Sequence, residues 1–294
     1  MPTILSRTIL ILGCLLALTC ATLAAEDNPN SGGAPMETYQ DQADFFKQHW
    51  PAMKDAAEAG GSAGVIGFIA GFDDELQRRV LYAFARMGLA MEDYQGKSFD
   101  LLIEVADAGI AEFMAQAEAA EDAETKAKRI DGANMISFNL AADLADCWPG
   151  DEAQREPRHF ERGLKAAEDC IRWREELKKP PGPRSMAWWA KGMHQLSLGR
   201  PDATASFARS LEYAQQAAKD EGSEAEVGAG STFAVILGAG YLGLALEISG
   251  QEGGQELYDE AIRTFKVQLE DEATKEDAQF GIDQLEVVKG KYVK

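Results

Sequence analysis

Between Ser185 and Leu211, in SMAWWAKGMHQLSLGRPDATASFARSL, two stretches of helical period stand on either side of a short break at Gly199, Arg200, Pro201 and Asp202. On the first arm Trp188, Gly192 and Gly199 mark the register; on the second Ala203, Phe207 and Leu211 recur every four residues. Proline suits the opening of a helix because its missing N–H has no helical partner there, so Pro201 reads as a restart. Each arm carries an apolar stripe that it cannot bury alone. The hairpin therefore demands neighbours of its own kind, and the chain must supply them.

It does so almost throughout. Helical patterns are expected over 75–92 with 99–119, 133–147 with 158–178, 186–198 with 202–220 and 233–248 with 255–269, followed by a last helix over 275–288. Runs rich in Val, Ile and Thr with period-two alternation are missing, so strands have little claim and the fold class is all-α. The strongest break is 178–184, KKPPGPR, where successive prolines forbid helix continuation; it either divides the helical domain or turns a corner within it.

The second arms share one register. Leu102, Ala106, Gly109 and Ile110 match Gly163, Ala167, Cys170 and Ile171; Ala203, Phe207, Ser210 and Leu211 match Ala261, Phe265, Gln268 and Leu269. The first arms repeat as well, with Gly192 to Gly199 spaced as Gly243 to Gly250. A glycine inside a helix costs about 1 kcal/mol relative to alanine, so its reuse at one register position points to close helix crossing.

These residues carry a resemblance to the tetratricopeptide repeat. Trp188, Gly192 and Gly199 match its aromatic, small and turn-glycine positions, and Ala203, Phe207 and Leu211 match its second helix, with a turn one residue short. Gly243, Gly250, Ala261, Phe265 and Leu269 repeat the pattern with an insertion near Gly253 and Gly254, and the first two pairs are fainter. Gly192 and Gly243 are 51 residues apart, against about 34 in a regular array, which calls for longer helices or loops. The resemblance implies stacked antiparallel hairpins in an α-solenoid. It also implies that Met186, Trp189, Met193, Leu196 and Ser197 line the concave face, with Trp188 packed beneath. A Met/Trp stripe of this kind is a groove for an apolar ligand or a partner helix; the other reading is core against the next pair.

A second stripe, Asn139, Asp143 and Asp146 at i, i+4 and i+7, falls on one face of a helix. Buried, it marks a polar ligand site; exposed, it is a solvated face. The glycine-rich stretch 60–71, GGSAGVIGFIAG, has neither the Gly-Lys-Ser/Thr ending nor the G-x-G-x-x-G spacing of a phosphate loop and reads as a packed loop or a small-residue helix contact. Residues 227–246 carry no charge over 20 positions, the length of a membrane span. Five glycines, acidic flanks and the repeat position of Gly243 make a helix buried on all sides the better account.

The formal charge of −20 sets nucleic-acid backbones and anionic membranes aside as partners and suits a cationic one. His49, His159 and His194 have no metal-ligand neighbours at helical or loop spacing, and no nucleophile-elbow pattern is present, so no metal, cofactor or catalytic residue is assigned. Arg7, the apolar run 9–18 and the small residues after it outline a signal peptide over 1–25, with a tether over 26–36 and the helical domain over 37–294. Lipidation at Cys20 is the alternative. Cys147 closes one helix while Cys170 lies about 18 Å along its partner at 1.5 Å per residue, which argues against a disulfide unless the connection 149–157 folds back. The expectation is an exported, periplasmic or extracellular, non-enzymatic scaffold that binds a protein or peptide. A small-molecule-binding accessory of a transporter stands second and an enzyme third.

Overall fold

Thr38 opens the first helix with a reciprocal cap: its hydroxyl accepts from the Asp41 N–H, and the Asp41 carboxylate accepts from the Thr38 N–H. In the computed structural model, residues 36–90 and 94–293 are described. The expected leader, with Cys14 and Cys20, and all of the tether but Met36 lie outside them. Ten helices follow in the described residues: α1 (Tyr39–Ala70), α2 (Glu75–Leu89), α3 (Phe99–Ala119), α4 (Ala123–Leu144), α5 (Pro157–Glu176), α6 (Pro181–Ser197), α7 (Ala203–Asp220), α8 (Phe233–Ile248), α9 (Gly254–Gln268) and α10 (Lys275–Tyr292). The described residues form no strand, only an isolated bridge between Glu224 and Ser231, and the fold is all-α.

The chain makes two compact units whose described residues run 36–140 and 141–293, and it passes from one to the other within α4. In the first unit α1 packs on α2 and α3, and α2 on α3. Its core holds Met53, Val65, Ile69, Leu81, Leu89 and Phe113, all essentially inaccessible. α1 is continuous through Pro51 but breaks at Gly61, whose φ of +58° and ψ of −139° interrupt the helix. Such a backbone is the preserve of glycine.

In the second unit successive helices pack in chain order: α5 on α6, α6 on α7, α7 on α8, α8 on α9, with α10 closing against α8 and α9. This is the stacking of antiparallel hairpins that the periodicity predicts. The glycines explain how closely the arms approach. A Cβ on Gly192 would stand 2.8 Å from the Phe207 ring, and one on Gly243 2.6 Å from the Tyr258 backbone nitrogen.

Of the proline-rich stretch 178–184, which lies inside this second unit, only 178–180 turn a corner, and 181–184 already form the first turn of α6. Lys178, at φ +52°, ends α5, and Pro181 opens α6 at a position where its missing N–H costs nothing. The uncharged run 227–246 divides into a loop and α8, which buries Val235, Ile236, Ala239, Tyr241 and Leu244 among its neighbours. No helix among the described residues is long and apolar enough to cross a membrane.

Candidate functional site

Because α6 is wedged between α5 and α7, the Met/Trp stripe on it is divided by depth. Met186 and Trp189 are half-buried, while Met193 is fully buried and Leu196 is 7% exposed. The last two belong to the core that also holds Ala203, Phe207, Tyr241 and Leu244. The expectation that all four line an open face is therefore corrected for Met193 and Leu196: α7 and α8 cover that end of the helix. Ser197, further along, is half-buried and its hydroxyl pairs with the Tyr292 hydroxyl at 2.8 Å. Trp188 and Trp189 do not split into a core ring and an open ring, since both are half-buried. Trp188 lies under the Lys191 ammonium at 5.3 Å, whereas Trp189 sets its ring edge-on to Trp148 at 5.8 Å and Tyr241 at 6.0 Å.

Beneath Trp189 is a buried polar cluster. The Tyr241 hydroxyl sits beside the Trp189 indole and the Cys147 thiol without closing a hydrogen bond of good geometry to either. The Gln284 amide donates to the Cys147 sulfur at 3.6 Å. Burial pushes the thiol up to about 12 and the Tyr241 phenol well above its ordinary range, so both stay protonated at neutral pH. Cys170 is likewise buried, and neither cysteine is in a disulfide. His194 is a core residue: its Nε2 donates to the Ala141 carbonyl at 2.8 Å, and burial lowers its pKa to about 4. A thiol held protonated and an imidazole held neutral on a backbone carbonyl are built for packing rather than for nucleophilic or general-base work.

The acidic stripe does not form a single helical face. Asn139 and Asp143 lie on α4, but the helix ends at Leu144 and Asp146 falls beyond it. Asp146 accepts from Lys291 and from Arg155, at 3.4 Å in the latter case. Arg155, whose side chain is 1% exposed, also reaches Asp151 at 2.6 Å and the Asp143 carbonyl at 3.0 Å. Asp146 thus fastens the connection after α4, which the regular spacing in the sequence disguised.

The first unit carries a cleft of 440 Å³ that the sequence reading missed. It opens where Gly61 breaks α1, and its chemistry comes from Glu58, Ser62, Tyr94, Asp100 and Glu104. The Ser62 hydroxyl, released from helical register by the break, donates to the Glu104 carboxylate on α3. Ser98 caps α3 by accepting from the Leu101 N–H at 3.0 Å, which fixes the helix end that bears Asp100. Tyr94 is 2% exposed and sets its ring edge-on to Trp50 at 6.1 Å. Its hydroxyl lies over Gly96, where a Cβ would stand 2.5 Å from it. Burial, with the Glu58 charge adding to it, raises the phenol pKa, so the hydroxyl stays protonated. The only legible signal for this site was the Gly60-Gly61-Ser62 sequence; nothing in the spacing links Ser62 to Glu104, 42 positions away.

No family model, curated protein or solved structure matches this chain.

Proposed function

We propose that this chain is an exported helical-repeat scaffold of tetratricopeptide-like construction that binds a protein or peptide and does not transform it. The observation that carries the reading is the α6 face: Met186 stays half-buried at one end of a helix whose other end is locked in the core, and Trp189, though packed against that core, is itself only half-buried. A large flat ring and a flexible thioether on a rigid helix suit an apolar helix or strand of a partner. The reuse of a glycine crossing in α6/α7 and α8/α9 supports a repeat origin.

A photo-crosslinking residue at Met186, with a second at Val267 on α9 as control, tests this in native envelope extract. A protein crosslinked from position 186 and not from 267 is the expected result; crosslinks from 267 alone would remove the α6 face from the account. The cleft of the first unit favours a second reading, a small-molecule-binding accessory, because its volume falls in the usual range for ligand pockets.

A further inference from the structure

The cleft at the break in α1 is acidic on every side that carries charge. Glu58, Asp100 and Glu104 line it together with the hydroxyls of Ser62, Ser98 and Tyr94, and no Lys, Arg or His is among its lining residues. Glu104 is engaged by Ser62, but Glu58 forms no ion pair or hydrogen bond among the described residues.

Tyr94 supplies an independent observation. At 2% exposure its ring is walled in, yet its hydroxyl borders the cleft and has no hydrogen-bond partner among the described residues. A buried phenol ordinarily finds a partner, and one that instead faces a cleft is presented to whatever enters it. The carboxylates do not converge as metal ligands do: no three His, Cys, Asp or Glu side chains among the described residues gather on one point. Spread carboxylates and a phenol oxygen match N–H donors distributed along a flexible chain.

We infer that this cleft binds an aliphatic polyamine, a small molecule with two or more ammonium groups. The inference rests on the small-molecule reading of the cleft and names its ligand class. One ammonium pairs with Glu58 and donates to the Tyr94 oxygen; another is met by Asp100 and Glu104 at the start of α3. These are charge-assisted hydrogen bonds, the stronger kind. The general acidity of the chain raises the local concentration of such cations without selecting among them. Selection is left to the phenol and to Glu58.

Calorimetric titration of the full-length chain with spermidine and putrescine, at physiological salt to screen diffuse attraction, tests the site. One saturable spermidine site is expected. Glu58→Gln and Tyr94→Phe should each weaken it about tenfold, the scale of a lost hydrogen bond to a charged group. Tyr94→Phe keeps the ring on Trp50, so an unchanged melting temperature excludes a folding defect. The double variant Glu252→Gln/Glu270→Gln, on exposed acids of the other unit, should leave affinity unchanged. Equal weakening by that control, or none from Tyr94→Phe and Glu58→Gln, overturns the site in favour of diffuse charge. The neutral match 1,4-butanediol should not bind; if it binds as tightly as putrescine, the amine assignment falls while the small-molecule reading stands. Oligolysine binding without spermidine binding also overturns the assignment. If the polyamines fail, ligand-observed NMR with neutral and anionic fragments separates the two ideas: a fragment lost on Tyr94→Phe keeps the small-molecule reading, and no fragment at all removes both.

Discussion

The repeat hairpins of the second unit and the break in α1 of the first use glycine in opposite ways. In the second unit Gly163, Gly192 and Gly243 are filled by what packs on them: a Cβ would meet the His194 ring at 2.2 Å, the Phe207 ring at 2.8 Å and the Tyr258 backbone at 2.6 Å. In the first unit Gly60, Gly61 and Gly67 border open space, with nothing within 4 Å of a Cβ. At Gly192 and Gly243 the occupied glycine brings the two arms of a hairpin together and recurs with the repeat. A glycine next to open space is free to bend the chain, and Gly61, which lines the cleft, does so. One residue type thus serves packing in the hairpins and shape at the α1 break, and contacts together with backbone angle distinguish the two uses.

The comparison can be broken most forcefully at the partner side of an occupied glycine. Phe207 fills the space over Gly192 and stacks on Tyr241 at 5.3 Å with planes 13° apart. Phe207→Ala should cost about 3–5 kcal/mol in urea unfolding, the range for truncating a buried aromatic ring. A cost under about 1 kcal/mol, the level of a well-tolerated core change, would mean that the hairpin does not depend on this crossing. Next in size is Gly243→Ala. Its new methyl meets the backbone of Tyr258 and the Gly254 carbonyl at 2.8 Å, atoms that cannot rotate away. Overpacking of this kind costs about 1–3 kcal/mol, and the upper end is expected.

His194 over Gly163 tests the same idea through pH. The buried imidazole has a native pKa of about 4 against 6.5 unfolded, so between those values the unfolded chain binds more protons and stability rises with pH. Its contribution is intact above pH 6.5, erodes as pH falls and levels off below pH 4. Between pH 7 and pH 5 the loss should be about 2 kcal/mol, and His194→Gln should flatten that segment of the urea midpoint against pH. An unchanged slope in the variant would place the protonating group elsewhere.

The regular part of the fold was legible because periodicity alone determines it. α3 and α8 have the expected bounds, 99–119 and 233–248, and α7 begins one residue later than expected. α4 begins at Ala123, ten residues before the expected start, because AETKAKRIDG carries charge instead of an apolar stripe; its beginning is set by the Asp122 carboxylate accepting from the Thr125 N–H at 2.8 Å. The candidate sites were less legible. Met193 and Leu196 share a face with Met186 and Trp189, and only the placement of α7 and α8 decides which end of that face is covered. The cleft is built from residues that no spacing rule connects, since a break in one helix sets Ser62 opposite Glu104.

The smallest effect is the one that most sharply separates the two kinds of glycine. Gly67 lies in the second arm of α1, in helical conformation, exposed and with open space where a Cβ would be. Replacing such a glycine removes backbone freedom from the unfolded chain without straining the folded one, so Gly67→Ala should stabilise by about 0.5–1 kcal/mol. Gly61→Ala, only six positions earlier, has equally open surroundings but a φ of +58°. It should destabilise by about 1–2 kcal/mol, because an L-residue is strained there. Melting the two variants side by side keeps the space constant and changes only the backbone. If both stabilise, the break at Gly61 is not held by the fold and the cleft beside it has no fixed wall. If both destabilise, open space around an α1 glycine is not a sign of freedom, and the contrast with Gly243 would rest on something other than contact.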